Sequence, residues 1–320
     1  MAKPDILQFS PYPPWDQEPL DAAYTTHRLD TAGDRTAFLA EFGPRIRAIA
    51  ARGVSTVDRA LIEACPALEL IAVYGVGYDG VDLDACRDHG VQVTNTPDVL
   101  TGDVADFGVA IMLAQSRQII PADGWLRSGD WAEKGPFRPA RRVHGRRAGI
   151  LGLGRIGMAV ARRLAAFDMQ IAYSDIAERP DTPDWAFVAD PVALADHVDI
   201  LFVTLSATTQ TRHIVDRAVV EALGPEGMLI NISRASNVDE DALLEALESG
   251  ALGSAALDVF DGEPRLNPRF LALDNVLLQP HYASGTVETR KAMGQLMRDN
   301  LDAHFAGLAL LTPVQLGEPT

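Results

Sequence analysis

The chain has 320 residues, with 44 acidic side chains against 28 Lys and Arg and a formal charge of −16. That length suits two average domains, each able to bury a core. A surface this negative repels phosphate backbones and anionic lipids, which argues against nucleic acid or a membrane as partner; any anion site must be built locally from Arg and backbone N–H groups.

The start, MAKPDILQFSPYPPW, lacks the apolar stretch of a secretory signal, and no apolar run approaches the ~20 residues of a membrane span. The two cysteines, Cys65 and Cys86, form no C-x-x-C pair and no metal cluster. A lone disulfide between them stays open, but two unpaired core thiols in a reducing compartment is the favoured reading. A cytoplasmic protein without a metal site is expected.

Short apolar runs alternate with longer amphipathic stretches, the pattern of βαβ units and parallel sheets. Residues 6–9, 48–51, 70–73 and 91–94 read as buried strands of a first unit. Residues 99–118 follow, with Val104, Phe107, Ala110, Ile111 and Leu113 at helical spacing. They read as one long helix opened by a turn at Thr96-Pro97-Asp98. Residues 117–144, rich in Pro, Gly, Trp and Arg, read as an irregular connecting or subunit-contacting segment. From Arg147 a second α/β series begins, with strands at 148–151, 170–173, 200–205, 228–232, 254–257 and 276–278. Its helices fall near 155–167, 216–223 and 239–249, and a final helix covers about 287–306.

Residues 148–157 read AGILGLGRIG, an apolar strand running into G-x-G-x-x-G at Gly152, Gly154 and Gly157. In this motif the first glycine permits a tight turn, the second lets a pyrophosphate approach the backbone, and the third lets helix and strand pack closely. The phosphates then meet N–H groups at the helix start, here Arg155 and Ile156. A glycine-rich turn alone is weak evidence. Its context is stronger, because a second predicted strand ends in Asp175, eighteen residues beyond Gly157. A carboxylate there accepts from a ribose 2′-OH and repels a 2′-phosphate, so NAD is expected rather than NADP. Arg179 is a candidate counter-ion for a 2′-phosphate. A bend through Ser174, Arg179 and Pro183 that turned Asp175 to solvent would remove the preference.

Three later segments each place a chemically loaded residue just after an apolar strand: Arg234 in NISR, Asp258 and Glu263 in LDVFDGEP, and His281 in LQPH. The carboxyl ends of strands border the ligand crevice of an open α/β sheet, so these residues can converge there. Thr204, Leu205 and Ile232 stand at strand ends on the same side and join the candidate cofactor contacts. Taken singly, each residue also has a bland explanation as a surface charge, a structural histidine or a loop.

Together, VYGVGYDGVDLDACRDHGVQVTNTP, ILGLGRIG, LINISRAS, VDEDAL, ALDVFDGEP and LLQPHYASGT resemble the D-isomer-specific 2-hydroxyacid dehydrogenases, and most closely their glyoxylate/hydroxypyruvate reductase branch. The resemblance runs from about Leu70 to Pro313. It implies two Rossmann-like or flavodoxin-like α/β domains with parallel sheets and a cleft between them. Residues 1–98 plus 287–320 would form the substrate-binding domain and 99–286 the NAD-binding domain. It also implies roles. Arg234 would bind the substrate carboxylate, and His281 would exchange a proton with the carbonyl oxygen while Glu263 orients it. Asp258 would hold the nicotinamide carboxamide, and the N–H groups of Val76 and Gly77, with Leu100 nearby, would receive the substrate.

The chemistry agrees with that division. Hydride delivery to a keto carbon builds alkoxide character, which needs a positioned acid and a nearby cation. A guanidinium grips a carboxylate with two bonds, and a carboxylate beside an imidazole favours its charged form. The expected function is hydride transfer between NAD(H) and a small 2-keto/2-hydroxy acid by a homodimer. Two alternatives stay open: a dehydrogenase of the same fold for another keto acid, or a non-catalytic NAD-sensing protein. One departure is visible, since Ala235-Ser236-Asn237 stands where the family more often has a glycine-containing run.

Overall fold

The computed structural model describes residues 3–182 and 184–316. The chain divides into two units, one combining Met1–Leu100 with Gly285–Thr320 and the other spanning Thr101–Ser284.

The first unit is built on five strands, β1 (Asp5–Gln8), β2 (Thr25–Arg28), β3 (Ile46–Arg52), β4 (Leu70–Tyr74) and β5 (Gln92–Thr94). They are all parallel, in the order β2-β1-β3-β4-β5, the flavodoxin-like arrangement with its reversal of direction between β1 and β3. Apolar runs such as LIAVY are buried on both faces, as parallel strands covered by helices require. Ile6, Leu7, Ile46, Ile49, Ile71 and Val73 are all essentially buried. Cys65 and Cys86 lie in that core as free thiols, which settles the open disulfide. Burial pushes their pKa values up to about 11 and about 12.

The second unit carries seven parallel strands: β6 (Arg147–Leu151), β7 (Gln170–Ser174), β8 (Ala186–Phe187), β9 (Ile200–Val203), β10 (Met228–Asn231), β11 (Ser254–Leu257) and β12 (Val276–Leu278). Their order, β12-β11-β10-β9-β6-β7-β8, reverses between β6 and β9. This is the doubly wound dinucleotide-binding topology, extended by one strand. The glycine-rich turn after β6 and the segment after β9 therefore border the reversal, where ligands bind in such sheets.

Several expectations need correction. The long helix is Thr101–Ser116, not 99–118, because Asp98 takes a left-handed φ of 68° and Gln118 one of 51°. Both residues break the helical path at those points. The stretch 117–144 is not irregular throughout, since it contains the helices Ile119–Arg127 and Asp130–Lys134. Strands β9 and β10 stop at Val203 and Asn231, so Thr204, Leu205 and Ile232 lie in the turns beyond them. The short strands β2 and β8 left no readable signal: TTHR is polar, and β8 has only two residues. Among the described residues no helix is long and apolar enough to cross a membrane.

Candidate active site

The glycine-rich turn is shaped by what each glycine touches. Gly152 has φ 95°, a left-handed conformation, and a Cβ there would strike Leu205 at 2.8–2.9 Å. A Cβ on Gly157 would sit 2.2 Å from Gly152 O and 2.8 Å from Thr204 Oγ1. That close approach is held by the Thr204 hydroxyl, which donates to Gly152 O at 2.6 Å. Gly154 differs, because its Cβ would enter open space.

The helix Arg155–Ala165 then starts with Gly154 as N-cap and no side-chain cap. Its first i→i−4 bond is donated by Met158 to Gly154 O at 2.9 Å, so the N–H groups of Arg155 and Ile156 precede the hydrogen-bonded ladder. An open backbone approach before an uncapped helix start is the cradle a pyrophosphate needs, and the residues present fit a dinucleotide.

Asp175 follows β7 and is aimed at the same turn. Its Oδ2 accepts from Leu153 N at 2.9 Å and its Oδ1 from Ile176 N at 2.8 Å. The carboxylate is therefore tethered beside the glycine turn rather than swung into solvent. Arg179 donates to both oxygens of Asp181, at 3.0 and 2.9 Å, and to Leu153 O at 3.2 Å. Pro183, part of the bend considered from sequence, lies outside the described residues.

A second cluster forms at the carboxyl ends of β11 and β12. His281 Nδ1 pairs with Glu263 Oε2 at 2.7 Å, and Glu263 Oε1 accepts from Phe260 N at 3.0 Å. One carboxylate oxygen thus holds the ring while the other anchors the carboxylate, and Nε2 is the nitrogen left to face a ligand. His281 has a φ of 52°, a conformation that costs a non-glycine residue about 1–2 kcal/mol. Its N–H, donated to Asp258 O at 2.8 Å, braces that strain. Burial pushes the Glu263 carboxyl up, but the bonds from His281 and Phe260 outweigh it and hold it below the usual carboxylate range.

Asp258 is almost wholly buried and accepts from Tyr282 N at 2.7 Å and Ala283 N at 2.9 Å. Burial raises its pKa against the lowering effect of those two bonds. It thereby fixes the backbone that follows His281.

Arg234 follows β10, and its guanidinium donates to Ser233 O at 2.9 Å. The turn that carries it is built from buried side chains that sequence reasoning passed over. Asn231 Oδ1 accepts from both Ser233 N and Ser233 Oγ, while Asn231 Nδ2 donates to Arg234 O at 3.0 Å. Asn237 Nδ2 donates to Ser233 Oγ and to Leu205 O, both at 3.1 Å. The only available signal was three polar residues at 231, 233 and 237 beside an apolar strand. Ile232 is turned the other way and packs toward Gly108, leaving only its backbone for a ligand.

In the first unit, Val76 and Gly77 occupy the turn after β4. Asn95 Nδ2 donates to Val76 O at 2.8 Å, and the Thr96 hydroxyl accepts from Gly75 N at 3.1 Å. Leu100 is buried at the end of the same unit.

A doubly wound sheet with a dinucleotide cradle and a His–Glu pair at its carboxyl edge defines a nucleotide-dependent dehydrogenase. The family model for D-isomer-specific 2-hydroxyacid dehydrogenases, NAD-binding domain, matches residues 109–283. The chain is 45% identical to hydroxyphenylpyruvate reductase of Plectranthus scutellarioides, over 97% of this chain and 98% of that one. The structure of a 2-hydroxyacid dehydrogenase from Ketogulonicigenium vulgare is 71% identical with a TM-score of 0.92, covering 99% and 100% of the two chains. That of an NADPH-dependent glyoxylate/hydroxypyruvate reductase from Sinorhizobium meliloti, in complex with NADP and malonate, is 40% identical with a TM-score of 0.93, covering 98% of each. This chain belongs to the D-isomer-specific 2-hydroxyacid dehydrogenases, NAD(P)-dependent oxidoreductases of 2-keto and 2-hydroxy acids.

Proposed function

We propose that the chain reduces small 2-keto acids of the glyoxylate and hydroxypyruvate type, using NADH in preference to NADPH, with Arg234, Glu263 and His281 as its catalytic residues. The observation that carries this reading is the 2.7 Å pair between His281 and Glu263, held on a braced left-handed backbone. The bound dinucleotide supplies the hydride. His281, protonated and oriented by Glu263, gives its Nε2 proton to the carbonyl oxygen as negative charge develops there. Arg234 engages the substrate carboxylate with its planar fork. Asp258 keeps the segment after His281 in place for the carboxamide.

NADH oxidation measured against glyoxylate, hydroxypyruvate, an aryl keto acid and a branched keto acid tests the substrate class. Fastest turnover on the aryl acid would favour the second reading, supported by the hydroxyphenylpyruvate reductase at 45% identity. No turnover on any of them would favour a non-catalytic role.

Cofactor choice rests on the tethered Asp175 and on Arg179, whose guanidinium is paired with Asp181. A 2′-phosphate about 4 Å from this carboxylate would be repelled by roughly 4 kcal/mol per unit charge pair at an effective dielectric of ~20, an upper figure. NADH is therefore expected to exceed NADPH at least tenfold in kcat/KM. Asp175→Ser should narrow the gap mainly by improving NADPH. Equal use of both cofactors by the wild type would reject the assignment. The free, buried thiols suit a cytoplasmic location.

A further inference from the structure

We infer that Asn237 is a positioning residue that ties the Arg234 turn to the segment after β9, so that the arginine is presented in one geometry beside the cofactor cradle. The inference rests on Arg234 being the residue that engages the substrate.

Asn237, Ser233 and Asn231 are all buried, at 0%, 7% and 1% exposure. Their bonds form one unbroken chain. The Asn237 amide spends one N–H on Leu205 O and the other on Ser233 Oγ. The Ser233 hydroxyl in turn donates a hydrogen bond to Asn231 Oδ1 at 2.8 Å, and the Asn231 amide donates to Arg234 O at 3.0 Å. The far side of Arg234 is fixed by its own guanidinium on Ser233 O. The alternative amide orientation of Asn237 would point an oxygen at the Leu205 carbonyl, so the donor assignment follows from the acceptors around it.

Leu205 is itself placed by the cradle, because its side chain fills the space beside Gly152. A shift of Arg234 must therefore be transmitted through Ser233 and Asn237 to the wall of the dinucleotide turn. Buried polar networks are costly when incomplete, and here one acceptor, Asn237 Oδ1, is left without a partner. An apolar residue would leave the Leu205 carbonyl and the Ser233 hydroxyl without this donor. What the amide adds is two fixed donors between two functional segments. Asn237 touches no reacting atom, so its effect should be felt through Arg234.

The test is kinetic. In Asn237→Ala we expect kcat/KM for the keto acid to fall about tenfold, mainly through KM, with the NADH dissociation constant changed less than twofold. Asn237→Ser keeps one donor and should lose less. Ser233→Ala deletes only a hydroxyl, carries the same test if Asn237→Ala folds poorly, and should lose three- to tenfold. Since both act along one chain, the double variant should be no worse than the larger single loss within twofold. A purely structural asparagine would lower the melting temperature and leave KM unchanged, which would overturn the inference, as would losses that multiply in the double variant. Arg234→Lys separates the two levels, because an ammonium cannot reproduce the fork. Near-normal activity there would remove the arginine reading itself. Collapse of Arg234→Lys with wild-type kinetics in the Asn237 and Ser233 variants would remove only the role of Asn237.

Discussion

At the scale of single residues, the His281–Glu263 pair makes the sharpest claims. His281→Ala should lower turnover by roughly 10²–10⁴-fold, the usual contribution of a positioned acid, while NADH still binds. Near-normal turnover would dismiss the assignment. The pH behaviour has a definite sign. Glu263 is held below the ordinary carboxylate range, so its charge is present above that lowered value and is lost only as pH falls through it. The bond that orients His281 depends on that charge, so kcat/KM for the keto acid should fall as pH drops through the lowered Glu263 value. Glu263→Gln keeps the shape of the side chain but removes the charge. The acid limb should then be lost, with turnover lower throughout, which a pH–rate profile of both proteins would show. An acid limb unchanged in the variant would mean that Glu263 is not its source.

At the scale of elements, legibility followed burial. Strands such as LIAVY and MLIN are continuous apolar runs and were readable, as was the glycine turn, because each is dictated locally. The short helices Arg59–Glu63 and Leu83–Asp88 have too few residues for a period to emerge, and each is started by a capping aspartate, Asp58 or Asp82. The candidates Arg234, Glu263 and His281 could be singled out because they follow strands and carry the family resemblance, but the turn that aims Arg234 could not. Asn231, Ser233 and Asn237 meet only through tertiary hydrogen bonds, which spacing does not reveal. The glycine turn itself yields a paired prediction. Gly154→Ala enters open space at φ −72°, so its melting temperature should stay within about 2 °C of wild type. A methyl there obstructs the pyrophosphate, and NADH affinity should fall at least tenfold. Gly157→Ala drives a methyl into Gly152 O and should cost about 1–3 kcal/mol of stability through overpacking. Fluorescence titration with NADH and thermal melts separate the two outcomes; a stable Gly157→Ala with normal affinity would refute the packing account.

At the scale of the whole molecule, the question is what the acidic surface leaves for association. A net charge of −16 opposes self-association unless a local apolar patch outweighs it. The helices Ile119–Arg127 and Asp130–Lys134 carry such residues. Trp125 and Phe137 pack edge-to-face with ring centroids 5.8 Å apart, and Trp125 Nε1 donates to Gly135 O, so these two aromatics are satisfied within the segment. Ile119, Ile120, Leu126 and Trp131 are each more than half exposed. Four large apolar side chains on neighbouring short helices are more than scattered surface residues, and aromatic residues are enriched in the cores of interfaces. A homodimer through this segment is therefore expected, burying on the order of 1,200–2,000 Å². Two copies of the 34.5 kDa chain should sediment as a species of about 69 kDa at micromolar concentration. The double substitution Leu126→Asp with Trp131→Asp places two more carboxylates at the contact and should give a 34.5 kDa monomer. A wild-type chain that is already monomeric would reject the dimer, and an unchanged dimer in the variant would reject this surface.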